Sequence, residues 1–146
     1  MERIAQIISF LLSIIIFFIG GLIYLAFRSE SLLMFSWAKI LGLESQIEHL
    51  RIIMQPYYPS SEWMLFSLPD GLWVLSYVIM MSAVWKFQIR EHWILIGLIP
   101  AIAICSELLQ AIGVFPGTFD VSDLLTYLGS FLIGVFYCNI NKKFVL

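Results

Sequence analysis

Residues Ile4 to Phe27 read IAQIISFLLSIIIFFIGGLIYLAF, and this apolar run decides the class of fold. It is bounded by Arg3 and Arg28 and contains few polar side chains. At about 1.5 Å per residue, a helix of this length crosses a hydrocarbon core of about 30 Å. Its apolar part is longer than that of a secretory signal peptide, and no clear small-x-small cleavage site follows it. We therefore expect a retained first membrane helix.

The rest of the chain is also strongly apolar. Hydrophobic residues make up 61% of its 146 residues and charged residues only 12%, whereas soluble domains carry roughly 25% charged residues. A soluble domain of this length could not bury so much apolar surface, so lipid must solvate part of it. The formal net charge of −2 and the lack of a basic stripe argue against a nucleic-acid partner.

Three further apolar segments predict membrane spans at about 69–85, 93–110 and 120–138, after a first span at 4–27. The second begins near Pro69, which the first turn of a helix tolerates, and Ser67 is a suitable N-cap. In the fourth, Gly129 and Gly134 leave room for a neighbouring helix. Spans two to four are short, so their ends are expected near the membrane interface. The prediction is an all-α integral membrane fold with four transmembrane helices, forming a single domain of residues 1–146.

Residues 30–62, between the first two spans, mix apolar and charged side chains. This pattern predicts one or two amphipathic helices that lie on the membrane surface or fold over the helical bundle. We call residues 30–62 the interfacial segment.

The distribution of basic residues predicts the orientation of the chain. With four spans, both termini and the Lys86–His92 loop share one side of the membrane, and most of the lysines and arginines lie there. No basic residue occurs between Gln110 and Asp123 on the other side. The positive-inside rule therefore predicts a multi-pass protein of the cell membrane with both termini in the cytoplasm.

The stretch Ser106–Asp123 reads SELLQAIGVFPGTFDVSD and carries unusual polarity for its surroundings. In the predicted topology, the third span ends on the outer face, where the second and fourth spans begin. Polar residues far apart in sequence should therefore meet there. The candidate ligand-binding residues are Asp70, Glu107, Gln110, Asp120 and Asp123.

Each acid also has an ordinary structural interpretation. Asp120 is suited to cap the fourth helix, with Asp123 completing an arrangement like a capping box, and Asp70 would follow Pro69 in a helix start. Glu107 differs because it lies near the end of a span, where the helix dipole disfavours an acid. An ionisable residue at membrane depth usually faces the protein interior or a water-filled cavity. Glu107 is therefore the acid with the strongest indication of a functional or site-organising role.

The sequence between Arg90 and Lys142 contains no lysine or arginine that could neutralise these acids. Three arrangements remain open. One acid stays protonated and bonds Gln110 or another acid, Arg28 or Arg51 folds in from outside this region, or an external cation or amine-bearing ligand supplies the charge.

At these residues the sequence resembles the VanZ-like family of small bacterial membrane proteins. The shared features are the E-x-x-Q pair Glu107 and Gln110, the D-x-x-D pair Asp120 and Asp123, and the glycines Gly129 and Gly134. The match covers residues 106–135, with weaker support from SLPDGLW at 67–73. Many members carry an arginine where this chain has Gly117, and an asparagine near Thr126 and Tyr127. The resemblance implies a multi-spanning protein of the cell membrane, and some relatives are associated with resistance to glycopeptide antibiotics of the teicoplanin type.

The leading functional hypothesis is a membrane protein of the cell envelope that binds an amphiphile, a lipid head group or an envelope-active drug at the outward-facing acids. The first alternative is an accessory or structural subunit of a membrane complex, with a homo-oligomer or another membrane protein as its partner. A metal-dependent lipid-modifying enzyme is less favoured, because no Ser–His arrangement or zinc set is visible, although clustered acids suit Mg²⁺. Catalysis and a cofactor are not expected. Cys105 and Cys138 lie in apolar runs, and we expect both to be small buried residues.

Overall fold

The computed structural model describes residues 2–142, and within this range the chain is helical with no strand. The helices are α1 (Glu2–Phe27), α2 (Leu33–Ile40), α3 (Glu44–Met54), α4 (Glu62–Val84), α5 (Ile89–Ala111) and α6 (Val121–Lys142), with a 3₁₀ turn at Gln55–Tyr57 between α3 and α4.

Four of these helices, α1, α4, α5 and α6, are long and apolar enough to cross a membrane. Their outward faces carry large apolar side chains in the open. Phe18 on α1 is 64% exposed and Phe136 on α6 is 67% exposed. A surface of this kind suits contact with lipid rather than water. The predictions of an all-helical chain and of four span-length helices are confirmed.

Helix α4 occupies the centre of the bundle and packs against α1, α5 and α6. It is the most buried of the four long helices. Three of its buried residues are serines, Ser67, Ser76 and Ser82, and the Ser76 hydroxyl donates to the carbonyl of Ser13 at 2.8 Å. Between apolar helices, small and hydroxylated residues of this kind allow close approach and supply interhelical hydrogen bonds.

Glycines mark two of the closest approaches to α4. A Cβ at Gly71 would collide with the Thr126 methyl group of α6, and a Cβ at Gly134 would lie 2.5 Å from Cγ1 of Val78. A Cβ at Gly129 would meet nothing within 4 Å. Of the two glycines predicted to admit a neighbouring helix, Gly134 has this role and Gly129 does not.

The long helices alternate in direction, which gives the bundle two distinct ends. At one end, here called the termini end, Lys86 pairs with Glu2 at 3.6 Å, and the Gln6 side chain donates to the carbonyl of Ala83 at 2.9 Å. At the other, the loop end, α1 and α5 finish while α4 and α6 begin. The acids of the candidate site therefore belong to the loop end.

The start of α4 differs from the prediction. The helix begins at Glu62 with Ser61 as its N-cap residue, so Pro69 lies inside the helix and Ser67 is a buried helical residue rather than a cap. Helix α5 is kinked at His92, which has a φ of −120° and a ψ of 24°, so its continuous part begins at the predicted residue 93, while α6 runs from Val121 past the predicted 138 to Lys142. The second to fourth spans are therefore longer than predicted or as long as predicted, and none is shorter. Asp70 lies about two turns inside α4 instead of at its start.

The interfacial segment contains the two short helices α2 and α3, in agreement with the predicted one or two helices. Helix α3 packs against α1.

The two cysteines were both expected to be buried. Cys138 is buried, as predicted, but Cys105 is exposed on α5.

Candidate functional site

Three acids from three different helices converge at the loop end. Asp70 belongs to α4, Glu107 to the last turns of α5, and Asp123 to the first turn of α6. The side chain of Tyr127 lies within electrostatic range of all three carboxyl groups and of Arg28. We call Asp70, Glu107 and Asp123 the carboxylate cluster.

Glu107 caps α6 from outside that helix. Only 3% of the residue is exposed, and its Oε1 accepts a hydrogen bond from the backbone N–H of Asp120 at 2.6 Å. Asp120 stands immediately before α6, and its Oδ1 accepts from the backbone N–H of Ser122 at 2.7 Å. Asp120 is thus an N-cap, as one of its two interpretations had it. The buried Glu107 joins the end of α5 to this cap.

This arrangement changes the role of Asp123. In a capping box, the acid at the third helical position bonds the N–H of the N-cap residue. Here Glu107 already takes that N–H from Asp120. The Oδ1 atom of Asp123 is buried and has no hydrogen-bond partner within residues 2–142. The capping-box interpretation of Asp123 is therefore wrong, and this carboxyl group is left available.

Asp70 is likewise not a helix-start residue. It is partly buried and belongs to the middle of α4 rather than its first turn. The positive charge of Arg28 and the negative charge of Asp123 both act on its carboxyl group. A carboxylate two turns into a helix gains little from the helix dipole, which acts within the first turn. The structural interpretation of Asp70 thus loses its basis.

Arg28, directly after α1, supplies the cation that the 90–142 region lacks. Its guanidinium lies 5.1 Å from the ring centre of Tyr24 and 4.9 Å from that of Phe66, within cation–π range of both. The Arg51 guanidinium donates to the carbonyl of Arg28 at 2.9 Å and pairs with Glu30 at 3.6 Å. Of the three arrangements left open by the sequence, the second is met only in part: Arg28 comes within electrostatic range of Asp70 but forms no ion pair with an acid within residues 2–142, and Arg51 bonds the backbone at Arg28.

Gln110 does not meet the carboxylate cluster. Its amide atoms pack on Gly117, where a Cβ would stand only 2.8–3.0 Å from them, and Gly117 has a φ of +136°. In the described part of the chain, no hydrogen bond joins the Gln110 amide to any of the candidate acids. Gln110 therefore covers the loop between α5 and α6, and it is not the residue that orients an acid.

Trp63 and Thr126 are site neighbours that are not among the candidate ligand-binding residues predicted from the sequence. The Trp63 indole N–H donates to the Thr126 hydroxyl at 2.8 Å, which links the first turn of α4 to α6 beside the carboxylate cluster. The Thr126 hydroxyl in turn donates to the carbonyl of Ser122 at 2.6 Å. Because Trp63 precedes the predicted start of the second span, no local pattern placed it near the acids.

The arrangement has no preformed metal-binding geometry. Across residues 2–142, no group of three or more histidine, cysteine, aspartate or glutamate side chains is placed to hold a metal ion. The carboxylate cluster, with Arg28 in electrostatic range of Asp70, offers hydrogen-bond acceptors to a ligand.

Arg28 and Asp70 provide a test of this electrostatic arrangement. Arg28→Gln is expected to lower the free energy of unfolding by about 1 kcal/mol in the wild-type background and by less in Asp70→Asn, because the two charges attract at a separation too long for a direct ion pair. The cation–π contacts are lost equally in both backgrounds and cancel in the double-mutant cycle. Unfolding in mixed detergent micelles, titrated with sodium dodecyl sulfate, measures the cycle. Strict additivity of the two substitutions would show that the charges do not interact.

Fold and site together define a class: an all-helical chain with four helices able to span a membrane and a carboxylate cluster at one end of the bundle. No protein-family model, no curated protein and no solved structure matches the chain.

Proposed function

We propose that this chain is a VanZ-like, multi-pass protein of the bacterial cell membrane that binds the polar part of an amphiphile at the carboxylate cluster. The observation that carries the proposal is the buried Oδ1 of Asp123, which lacks a hydrogen-bond partner within residues 2–142. A buried polar atom of this kind costs roughly 1–3 kcal/mol unless something bonds to it. A ligand that donates a hydrogen bond would recover that cost.

The charge balance favours a ligand with a positively charged donor. Asp70, Glu107 and Asp123 bring three carboxyl groups to the loop end, and Arg28 is the cation whose charge acts on Asp70. An ammonium group donates several hydrogen bonds and offsets the remaining negative charge. A lipid head group, a cell-envelope precursor or an envelope-active drug with an amine fits this description.

The surroundings suit an amphiphile rather than a wholly polar ligand. Apolar side chains cover the outer surface of the helices that carry the acids, and the aromatic rings of Tyr24 and Phe66 flank Arg28. Sites with apolar walls and a few convergent polar groups are the usual form of small-molecule pockets. The polar part of the ligand would contact the carboxylate cluster while its apolar part stays in lipid.

Basic residues at the termini end support an orientation with both termini in the cytoplasm. Arg3, Lys86, Arg90 and Lys142 belong to that end. By the positive-inside rule the loop end then faces the cell envelope. In this orientation the carboxylate cluster would meet ligands from the outer leaflet or from outside the cell.

The VanZ-like assignment rests on the sequence motifs, and the place of Arg28 departs from the family pattern. Many members of that family carry an arginine where this chain has Gly117, and such an arginine would balance the acids. Here the charge of Arg28, which directly follows α1, acts on Asp70. The position of the arginine therefore differs from the family pattern, and Arg28 forms no ion pair with the clustered acids within residues 2–142.

Titration with dodecylamine tests the proposal. Asp123→Asn and Asp70→Asn are each expected to weaken binding of dodecylamine to the purified protein by about tenfold, because each removes a charged acceptor. Intrinsic tryptophan fluorescence reports the binding, since Trp63 bonds Thr126 next to the cluster. Glu44→Gln, which removes an exposed acid at the start of α3, is the matched control and should bind normally.

Dodecanol, which has the same chain without the charge, should bind weakly to all four proteins. In a bacterial strain that depends on this protein, the two cluster variants should also alter sensitivity to envelope-active drugs. Unchanged dodecylamine affinity in both Asp123→Asn and Asp70→Asn would remove the proposal.

A structural role in a membrane complex is the second candidate, and the cap that Glu107 provides to α6 favours it. In that case the remaining acids would pair with arginines of a partner protein. Crosslinking in native membranes distinguishes the two, because a constant second protein is expected only for the accessory subunit.

A further inference from the structure

Two cavities flank the α2–α3 hairpin, away from the carboxylate cluster. One, the polar cleft, has a volume of about 710 Å³ and is lined by Glu30, Ser31, Lys39, Glu48 and Arg51 among others. The second, the apolar groove, has a volume of about 440 Å³ and is bounded by α1, α2 and α3. Both volumes fall within the range typical of small-molecule sites, roughly 300–1,000 Å³.

The apolar groove lies beside the last turn of α1. Leu25 of α1, Trp37 of α2 and Leu50 of α3 form its walls, and hardly any polar atom contributes to its surface. Trp37 is 57% exposed. A groove open at the end of a helix that can span a membrane is accessible to an acyl chain of the surrounding lipid.

The polar cleft carries both signs of charge. Lys39 pairs with Glu44 at 3.2 Å and Arg51 pairs with Glu30 at 3.6 Å. Glu48 also lines the cleft and forms no ion pair with any residue in the described range 2–142. A phosphate would have to share Lys39 and Arg51 with Glu44 and Glu30, whose side chains are largely exposed, and the Glu48 carboxylate is left for a cation.

The cleft and the groove share two lining residues. Ala38 of α2 and Ile47 of α3 contribute to both cavities. The two cavities are therefore separated by no more than the side chains at the α2–α3 contact. A molecule with a zwitterionic head and an apolar tail can occupy both at once.

We propose that the α2–α3 hairpin binds a membrane glycerophospholipid whose head joins a phosphate to a primary ammonium group, as in phosphatidylethanolamine. One acyl chain lies in the apolar groove. Lys39 and Arg51 donate to the phosphate, and Glu48 accepts from the ammonium. The commitment to this head group rests on charge complementarity: the cleft offers Lys39 and Arg51 to a phosphate, and Glu48, which has no ion pair within residues 2–142, accepts from a primary ammonium, which unlike a quaternary one carries N–H donors. None of the three acids of the carboxylate cluster lines this site, which Arg51 connects to the backbone of Arg28, and the proposal does not depend on the function proposed at the cluster.

Lipid retention by the full chain tests this proposal. The protein is purified in detergent with equal amounts of phosphatidylethanolamine, phosphatidylcholine and phosphatidylglycerol, delipidated stepwise, and analysed by native mass spectrometry. The wild type should retain phosphatidylethanolamine about tenfold more strongly than either other lipid. Glu48→Gln should remove the preference over phosphatidylcholine, because the primary ammonium loses its acceptor while the tail contacts remain.

Ala38→Leu fills the wall between the two cavities and should reduce retention of phosphatidylethanolamine about tenfold. The matched control is Ala101→Leu, which makes the same change at an exposed position of α5 and should have no effect. Trp37→Ala removes an exposed side chain from the wall of the groove and adds no volume to the buried core. It should also reduce retention of phosphatidylethanolamine, even where Ala38→Leu folds poorly.

Two results would overturn the proposal. Equal retention by Trp37→Ala, Ala38→Leu and Ala101→Leu would mean that only unspecific annular lipid is bound. An unchanged lipid preference in Glu48→Gln would remove the head-group assignment. Dodecylamine binding at the carboxylate cluster should be the same in all these variants, so failure here is separable from failure of the proposed function.

Discussion

Glu107→Ala is expected to unfold about 2 kcal/mol more easily than the wild type, whereas Asp123→Asn is expected to be more stable than the wild type by about 1 kcal/mol. The opposite signs follow from the different partners of the two acids. Glu107 is buried and accepts a charge-assisted bond from the Asp120 N–H at 2.6 Å. The buried Oδ1 of Asp123 has no partner within residues 2–142.

Two effects compete at Glu107. Alanine removes the bond to the cap of α6 and leaves a cavity at the end of α5, which destabilises the fold. It also removes one charge from the carboxylate cluster, which relieves repulsion. The lost bond and the cavity outweigh the relief, because Glu107 is 3% exposed and little water can replace its contacts. Glu107→Gln keeps an acceptor oxygen and should lose less than half as much.

Unfolding in mixed micelles with sodium dodecyl sulfate measures both variants, with Glu44→Gln as the control for loss of an exposed acid. A destabilised Asp123→Asn would mean that Asp123 has a bonding partner. Taken with weaker dodecylamine binding by the same variant, a more stable Asp123→Asn would show that binding and stability are traded at this residue, as is common at functional sites.

The membrane-type fold was predictable because its signal is local and strong. The run Ile4–Phe27 needs no partner to be recognised as a helix of span length, and the same holds for most of α5 and α6. The start of α4 was not predictable in this way, because Pro69 is a residue type that is common in the first turn of a helix. A proline inside an apolar helix is tolerated where neighbouring groups satisfy the freed backbone, and here Pro69 is buried against α1, next to Gly20.

The error in α4 carried over to the site. With a start at Pro69, Asp70 was open to interpretation as a helix-start residue, and Trp63 lay outside the helix. The correct start at Glu62 places Asp70 in the helix interior and Trp63 against Thr126. The order of the spans alone nonetheless brings Asp70, Glu107 and Asp123 to one end of the bundle, whereas Gln110 packs on Gly117 instead of joining them.

The hydrogen-bond and charge partners of the acids could not be predicted from the sequence. A capping box is a pattern within one helix, so it assigned Asp123 to the N–H of Asp120. The bond actually formed comes from Glu107, which belongs to a different helix. The approach of Arg28 to Asp70 depends in the same way on the packing of α1 on α4, which no spacing in the chain encodes.

The close contact between α4 and α6 at Gly71 can be tested by a substitution. Gly71→Ala is expected to lower the free energy of unfolding by about 3 kcal/mol, because the added methyl group overpacks a close helix contact. The new Cβ would collide with Cγ2 of Thr126 and lie 3.0 Å from Oγ of Ser130. Gly129→Ala, whose Cβ meets nothing within 4 Å, is the control and should be neutral or up to about 1 kcal/mol stabilising.

Thr126→Ser supplies the decisive second substitution for Gly71→Ala. It removes Cγ2 but keeps the hydroxyl that accepts from Trp63 and donates to Ser122. The double variant should recover most of the lost stability, and with it the dodecylamine binding that depends on Asp70 and Asp123 lying together. If Gly71→Ala is harmless, or if Thr126→Ser fails to rescue it, then α4 and α6 are not packed at Gly71 as described. The carboxylate cluster would then lose the helix contact that assembles it.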